Sequence, residues 1–196
     1  MDVFEAIRSR ASIGKVLPEP VDRALVEQIL EAGTWAPNHH HTEPWRFFVL
    51  TGEGRKPLGR VMAAVAAAKM ADPESPENQA RLHNEAAKAL RAPVIIAVSA
   101  HPTDKPNIVR VEEVAAASAA VQNMLLAAHA LGLGAVWRTG PATLHPLTKQ
   151  LFGLGPEDEL VGFVYLGHPD MQAPPRHRIA TTDKTTWIDT DQEHWQ

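Results

Sequence analysis

Three consecutive histidines, His39-His40-His41, are the first residues in this chain whose type invites chemistry. Imidazole is a common ligand for zinc and nickel, so the run raises a metal site. Adjacent side chains diverge, however, and distant carboxylates would have to complete the coordination sphere. Polar loop histidines, one of them touching a ligand, are the plainer expectation, and no metal is expected here. Arg138 is the second candidate. It ends the short apolar run Ala135-Val136-Trp137, close to Gly132 and Gly134. A guanidinium in such surroundings needs a counter-charge, internal or bound. Trp137 beside it reads equally as aromatic core filler and as a ligand contact on physical grounds alone. Arg10 stands at the end of the first expected helix, where a solvated cation favours the helix dipole.

Other chemistries are excluded. The chain has no cysteine, which removes disulfides, thiolate catalysis and iron–sulfur clusters. No G-x-x-x-x-G-K-[ST] and no G-x-G-x-x-G after a strand occurs, so neither common nucleotide fingerprint is present. H-E-x-x-H and G-x-S-x-G are absent as well. A formal net charge of -4 and a pI near 6.2 give no broad attraction for nucleic acid or anionic membrane. The most apolar stretch, 114–133, carries Gln122, Asn123 and His129, so no membrane span is expected. The start, Met1-Asp2-Val3-Phe4-Glu5, lacks the basic residues and apolar run of a signal peptide. A soluble cytoplasmic protein follows from these features as an expectation. The 196 residues suffice for one sizeable core, so one domain is expected.

The elements that must position the candidates are legible in the hydrophobic spacing. Asp2 and Glu5 form a capping-box-like start, and Val3, Phe4 and Ile7 give one apolar helical face that runs out near Arg10. A second helix opens at Asp22 after Pro20. Leu25, Val26, Ile29 and Leu30 lie at helical spacing, and Gly33 is its expected stop. The aromatic, β-branched run 46–51 predicts a strand. Helices over 58–71 and 77–91 follow, separated by a polar break. Residues 94–98 are continuously apolar, as in a strand buried on both faces. The longest helix, 112–131, is almost all small or apolar, which places it in a core or at a subunit contact. A short strand over 135–138, a short helix over 144–152 and a strand over 160–166 complete the order. The prediction is an α+β layered domain with few strands and many helices. Its domain proper covers 1–168. The proline-rich tail, 169–196, carries Trp187 and Trp195 and is expected to dock on a partner subunit.

Four segments, in order along the chain, carry a resemblance. They are Phe4-Glu5-Ala6-Ile7-Arg8-Ser9-Arg10-Ala11-Ser12, then Ala32-Gly33-Thr34-Trp35-Ala36-Pro37-Asn38-His39 with Glu43-Pro44-Trp45-Arg46-Phe47-Phe48-Val49. The third is Gly132-Leu133-Gly134-Ala135-Val136-Trp137-Arg138-Thr139-Gly140. The fourth is Val161-Gly162-Phe163-Val164-Tyr165-Leu166-Gly167-His168-Pro169. Together they resemble the short branch of the nitroreductase family.

The resemblance implies a central, mostly antiparallel sheet wrapped by helices, and an interlocked homodimer with FMN at the interface. It implies that Arg10, Ala11 and Ser12 line the phosphate and ribityl side, with Trp137, Arg138 and Thr139 on the same cofactor. Trp35 and His39 would reach in from the other subunit. Residues Ala127, Ala128, His129, Ala130, Leu131 and Gly132 match a stretch associated with NAD(P). Guanidinium binds phosphate through paired hydrogen bonds, so Arg10 and Arg138 suit that role, as does the Ser12 hydroxyl. A donor such as His39 at the flavin's pyrimidine edge favours the reduced state. The implied activity is hydride transfer from NADH or NADPH to a nitroaromatic or quinone-like acceptor, in ping-pong order. The flavin carries the chemistry, and no catalytic side chain is called for. The same architecture also hosts reductive dehalogenation and flavin fragmentation. A metal-binding or non-catalytic helical dimer is the reading from another class. Three positions depart from the family pattern: Ala11 replaces a common second Arg, Trp35 replaces Arg, and Glu43 replaces the Gln before Pro-Trp.

Overall fold

A computed structural model describes residues 1–103 and 105–189. Trp195, one of the two tail tryptophans, lies outside the described residues.

Local signals start the helices. The Asp2 carboxylate accepts from the Glu5 backbone N–H at 2.9 Å and opens α1, Val3–Ser9. Asp22 does the same for Ala24 at 3.0 Å and opens α2, Arg23–Thr34. Such caps each contribute about 1 kcal/mol. Strand β1, Trp45–Thr51, precedes α3, Lys56–Ala67. Ser75 caps α4, Pro76–Ala87, which begins on a proline that needs no amide partner there. Then come β2, Val94–Ala100, and α5, Arg110–Ala130. Strand β3, Gly134–Arg138, α6, Pro146–Leu151, and β4, Glu159–Gly167, complete the domain.

The four strands lie in the order β1-β2-β4-β3, each pair antiparallel. Alternate residues of β2 serve two cores. Val94, Ile96, Val98 and Ala100 pack with α2 and α5. Ile95 and Ala97 face the other way, onto Leu58 of α3 and Leu151 of α6. Helices therefore cover both faces, and every residue of β2 is buried. Burying one such aliphatic side chain contributes roughly 1.5–3 kcal/mol. The expected α+β layering and antiparallel sheet are what the chain adopts.

One irregularity matters for the site. The β2–β4 register shifts between Val98 and Ser99, opposite Gly162, whose φ is +151°. The Trp137 indole fills the space above it: a Cβ there would sit 2.1 Å from Trp137 Nε1. Trp137 Nε1 also donates to the Val161 carbonyl at 3.1 Å. The bulge thus seats Trp137 across the β3–β4 pair.

One detail differs from expectation, and two concern surface left uncovered by the single chain. Gly33 lies inside α2 rather than after it. Its role is contact, since a Cβ would lie 3.0 Å from Met124 Cγ on α5. Helix α5 is not covered all round. Its buried residues are Glu113, Ala116, Ala117, Ala120, Val121, Met124, Leu125 and Ala128, one stripe at three-four spacing. Val111 on the same helix is 69% exposed. Helix α1 buries only Ala6, and its apolar Val3, Phe4 and Ile7 stay exposed.

After α1 the chain crosses the outer edge of β3. Ile13 N donates to the Ala135 carbonyl at 3.0 Å and Leu17 N to His168 O at 2.8 Å. Gly134 permits the crossing, because a Cβ there would meet Ile13 Cγ2 at 2.7 Å. This places Arg10–Gly14 alongside the strand that ends in Arg138.

Candidate functional site

Arg10 is the C-cap of α1 and is half-buried. Burial, followed by the nearby charges of Arg176 and Arg178, holds its guanidinium below the usual arginine range. Arg176 comes from the tail and is tied down: its Nη2 donates to the carbonyls of Arg8 at 2.7 Å and Ser9 at 2.8 Å. Those carbonyls end α1, where a helix presents partial negative charge. The outcome is three guanidiniums converging on one helix end. None of the three is in an ion pair with a carboxylate among the described residues. Like charges held together without a counter-ion repel, and an anion relieves that.

Ala11 is buried and Ser12 exposed beside this cluster. His129 reaches it from the last turn of α5, with Nε2 at 2.7 Å from Ser9 Oγ. Ser9 Oγ spends its one hydrogen on the Glu5 carbonyl at 2.6 Å, so His129 must be the donor, protonated at Nε2. The rest of the 127–132 stretch contributes the buried Ala128 and Gly132, whose φ of +77° ends the helix.

Along β3 the site continues into a cavity of about 730 Å³ lined by Trp137, Arg138 and Thr139. That volume is in the usual range for a small-molecule site. Arg138 lies over the Tyr165 ring at 5.4 Å, and its Nε is buried with no acceptor among the described residues. An unmet buried donor costs about 1–3 kcal/mol, and more when charged. Lys69, Lys88 and Arg91 line the same cavity. Among the described residues only Lys88 has a carboxylate there, Glu85 at 2.5 Å. Burial pushes the Tyr165 hydroxyl up, and Arg138 and Arg91 partly offset that. The Arg138 head lies 3.4 Å from where a Gly14 Cβ would stand. Arg10 and Gly14 are four residues apart, at most about 14 Å. The segment that begins at Arg10 therefore runs close to Arg138 of the cavity wall.

Trp35 and His39 are elsewhere. Trp35 is the C-cap of α2 and is 80% exposed. His39 Nδ1 contacts Glu112 Oε2 at 2.8 Å, in the first turn of α5. His129 lies 17 residues further along that helix, about 25 Å away at 1.5 Å per residue. One chain does not bring His39 to the Arg10 cluster. The histidine run also departs from expectation, because the His39 and His40 rings stack, with centroids 4.0 Å apart. A φ of 54° at His40 turns the side chains together. Among the described residues no group of three His, Asp or Glu side chains is disposed to hold a metal ion.

The loop holding His39 is strained. His40, His41 and Glu43 all have positive φ, at 54°, 51° and 47°. Histidine tolerates this region better than most residues; glutamate does not. Thr42 Oγ1 donates to Glu113 Oε1 at 2.7 Å, while Glu43 N donates to Asn38 Oδ1 at 3.0 Å. Glu113 is 1% exposed, and its second oxygen has no donor among the described residues.

The sequence pattern of the nitroreductase family matches residues 7–168. The chain belongs to the nitroreductase family. It is 36% identical over 174 residues to YdjA of Escherichia coli (strain K12), covering 88% of this chain and 91% of that protein, which bears the provisional name NAD(P)H nitroreductase. A nitroreductase-like family protein from Bacillus cereus superimposes with a TM-score of 0.83 at 29% identity, over 97% of each chain. A crystal structure assigned as a nitroreductase, from Desulfovibrio desulfuricans and in complex with FMN, has a TM-score of 0.67 at 32% identity, over 93% of this chain and 94% of that one. Family membership makes this chain an enzyme, an oxidoreductase by class.

Several residues that the structure brings near this candidate site escape sequence reasoning. Arg176 and Arg178 lie in what reads as a polar tail, and only their i, i+2 spacing hints at a shared side. Lys69 lies in the turn after α3, and Lys88 and Arg91 lie in and just after the short 3-10 turn 88–90, where cations look merely solvated. Glu113 was discoverable, because it continues the stripe through Ala116, Ala117, Ala120 and Met124.

Proposed function

We propose that this nitroreductase-family enzyme binds FMN along the track from Arg10 to Arg138 and moves reducing equivalents from NADH or NADPH to a nitroaromatic or quinone-like acceptor. The observation that carries this reading is the convergence of Arg10, Arg176 and Arg178 with no carboxylate among them. A phosphate dianion suits that charge, and guanidinium forks match its oxygens. The Ser12 hydroxyl adds a donor. The buried, unmet Nε of Arg138 and the cationic rim of the cavity suit a flat, electron-accepting ring that gains negative charge on reduction. Bound there, FMN supplies the two-electron redox chemistry, and the protein supplies position and field.

Each side chain then has a task. Arg10, Arg176 and Arg178 fix the phosphate. His129, through Ser9, holds the end of α1 against α5. Trp137, braced on Val161, walls the track. Arg138 and the Lys69, Lys88 and Arg91 rim favour developing negative charge. Reductant and acceptor take turns in the same open cleft, which is a ping-pong order.

The working form in this reading is a homodimer. His39 lies about 25 Å along α5 from the phosphate cluster, so it serves a flavin site only on a second copy. Exposed Phe4 (67%), Val111 (69%) and Trp35 (80%) supply apolar surface for that contact. The tail starts on its own chain, held by Arg176, and beyond Arg178 it packs on the same partner, with Trp187, 85% exposed, as the anchor. The test is anaerobic addition of NADH, then NADPH, to FMN-treated protein, followed by a nitroaromatic. The flavin absorbance bleaches with the reductant and returns with the acceptor. A protein that takes up no FMN contradicts the reading.

A further inference from the structure

We propose that the first turn of α5 is a clamp that positions His39, with Glu113 and Thr42 as its latch. This rests on the reading above, in which His39 of one copy reaches the flavin site of another. Loop 38–44 is held in a shape it would not adopt alone. Three of its residues, His40, His41 and Glu43, have φ near +50°. Backbone of that kind persists only where its surroundings over-determine it. The surroundings here are two adjacent carboxyls of one helix. Glu112 takes the His39 Nδ1–H at 2.8 Å, which turns Nε2 away from α5 and leaves it as the free ring nitrogen. Glu113 takes the Thr42 hydroxyl at 2.7 Å.

Glu113 is the telling residue. It sits on the apolar stripe of α5 at 1% exposure, with one oxygen serving Thr42 and the other serving nothing among the described residues. An alanine or leucine would suit that stripe better for stability alone. A carboxyl kept there, at a cost, is explained by what it holds. Thr42 is three residues from His39 and one from Glu43, so fixing its hydroxyl fixes the strained turn between them. The clamp thus couples the rigid central helix to the loop that carries His39.

The experiment is a double-mutant cycle on FMN affinity, read by fluorescence quenching on dimeric protein. Glu113→Leu and His39→Ala each weaken FMN binding about tenfold, the size of one lost hydrogen bond. The double variant is no weaker than either single one, because both remove the same contact. Glu113→Gln, which keeps an acceptor for Thr42, restores affinity. Where Glu113→Leu does not fold, Thr42→Val takes its place in the cycle. Affinity within twofold of wild type in the latch variant, or losses that multiply in the double variant, overturns the clamp. If wild-type protein itself takes no FMN, the reading of the site fails instead.

Discussion

Arg176 donates from one guanidinium nitrogen to the Ser9 carbonyl at 2.8 Å, so a residue near the end of the chain completes the end of its first helix. The same nitrogen reaches Arg8 O at 2.7 Å. This contact brings a tail cation to Arg10, and the pair defines the phosphate end of the proposed site.

Arg176→Ala should weaken FMN binding about tenfold, because a charge-assisted contact contributes roughly 1.5–3 kcal/mol. Isothermal titration with FMN and with riboflavin checks it. The loss should appear with FMN and vanish with riboflavin, which lacks the phosphate. Equal losses for both ligands would remove Arg176 from phosphate binding.

FMN affinity should fall as salt rises, since the phosphate meets three guanidiniums of which Arg10 is half-buried and Arg176 and Arg178 are exposed. Screening weakens such contacts within a Debye length of about 10 Å at 0.1 M. A titration series between low and high potassium chloride measures the slope. A flat response would place the phosphate away from Arg10 and Arg178.

Gly162→Ala should destabilise the fold by roughly 1–3 kcal/mol. The new methyl would meet Trp137 Nε1, 2.1 Å away, at a backbone φ of +151°. Urea unfolding gives the loss, and tryptophan emission reports the displaced indole. Wild-type stability in this variant would mean that Trp137 is not seated as described.

Phe4→Glu should dissociate the proposed dimer, since a charge would replace an apolar side chain that is 67% exposed on the single chain. Subunit separation and flavin loss should occur together in sedimentation and absorbance. A variant that becomes monomeric yet keeps FMN would show that the site needs only one chain.

Much of the architecture was legible in the sequence. Apolar spacing placed all four strands, and the continuous run over 94–98 correctly foretold a strand buried on both faces. Helix bounds drifted by a few residues, because ends depend on caps and short turns: the expected 77–91 helix stops at Ala87 and tightens over Lys88–Leu90. Gly33 was misread as a stop, because a helix contact through a bare Cα has no local signature. The candidate site was legible only in part. Arg138 stood out by its apolar surroundings, and Arg10 and Ser12 only through the family resemblance. Arg176 and Arg178 did not, since nothing in a proline-rich segment says which distant helix it will meet. The divergence expected of adjacent histidines also failed at His39 and His40, where one positive φ stacks the rings.

The most direct test of the central claim is sedimentation velocity of FMN-treated protein, followed at a protein wavelength and a flavin wavelength together. The account predicts that both signals move as one species of twice the 21.4 kDa chain mass, with one FMN per chain. A flavin signal left behind at the meniscus, with protein moving as a single chain, would contradict it.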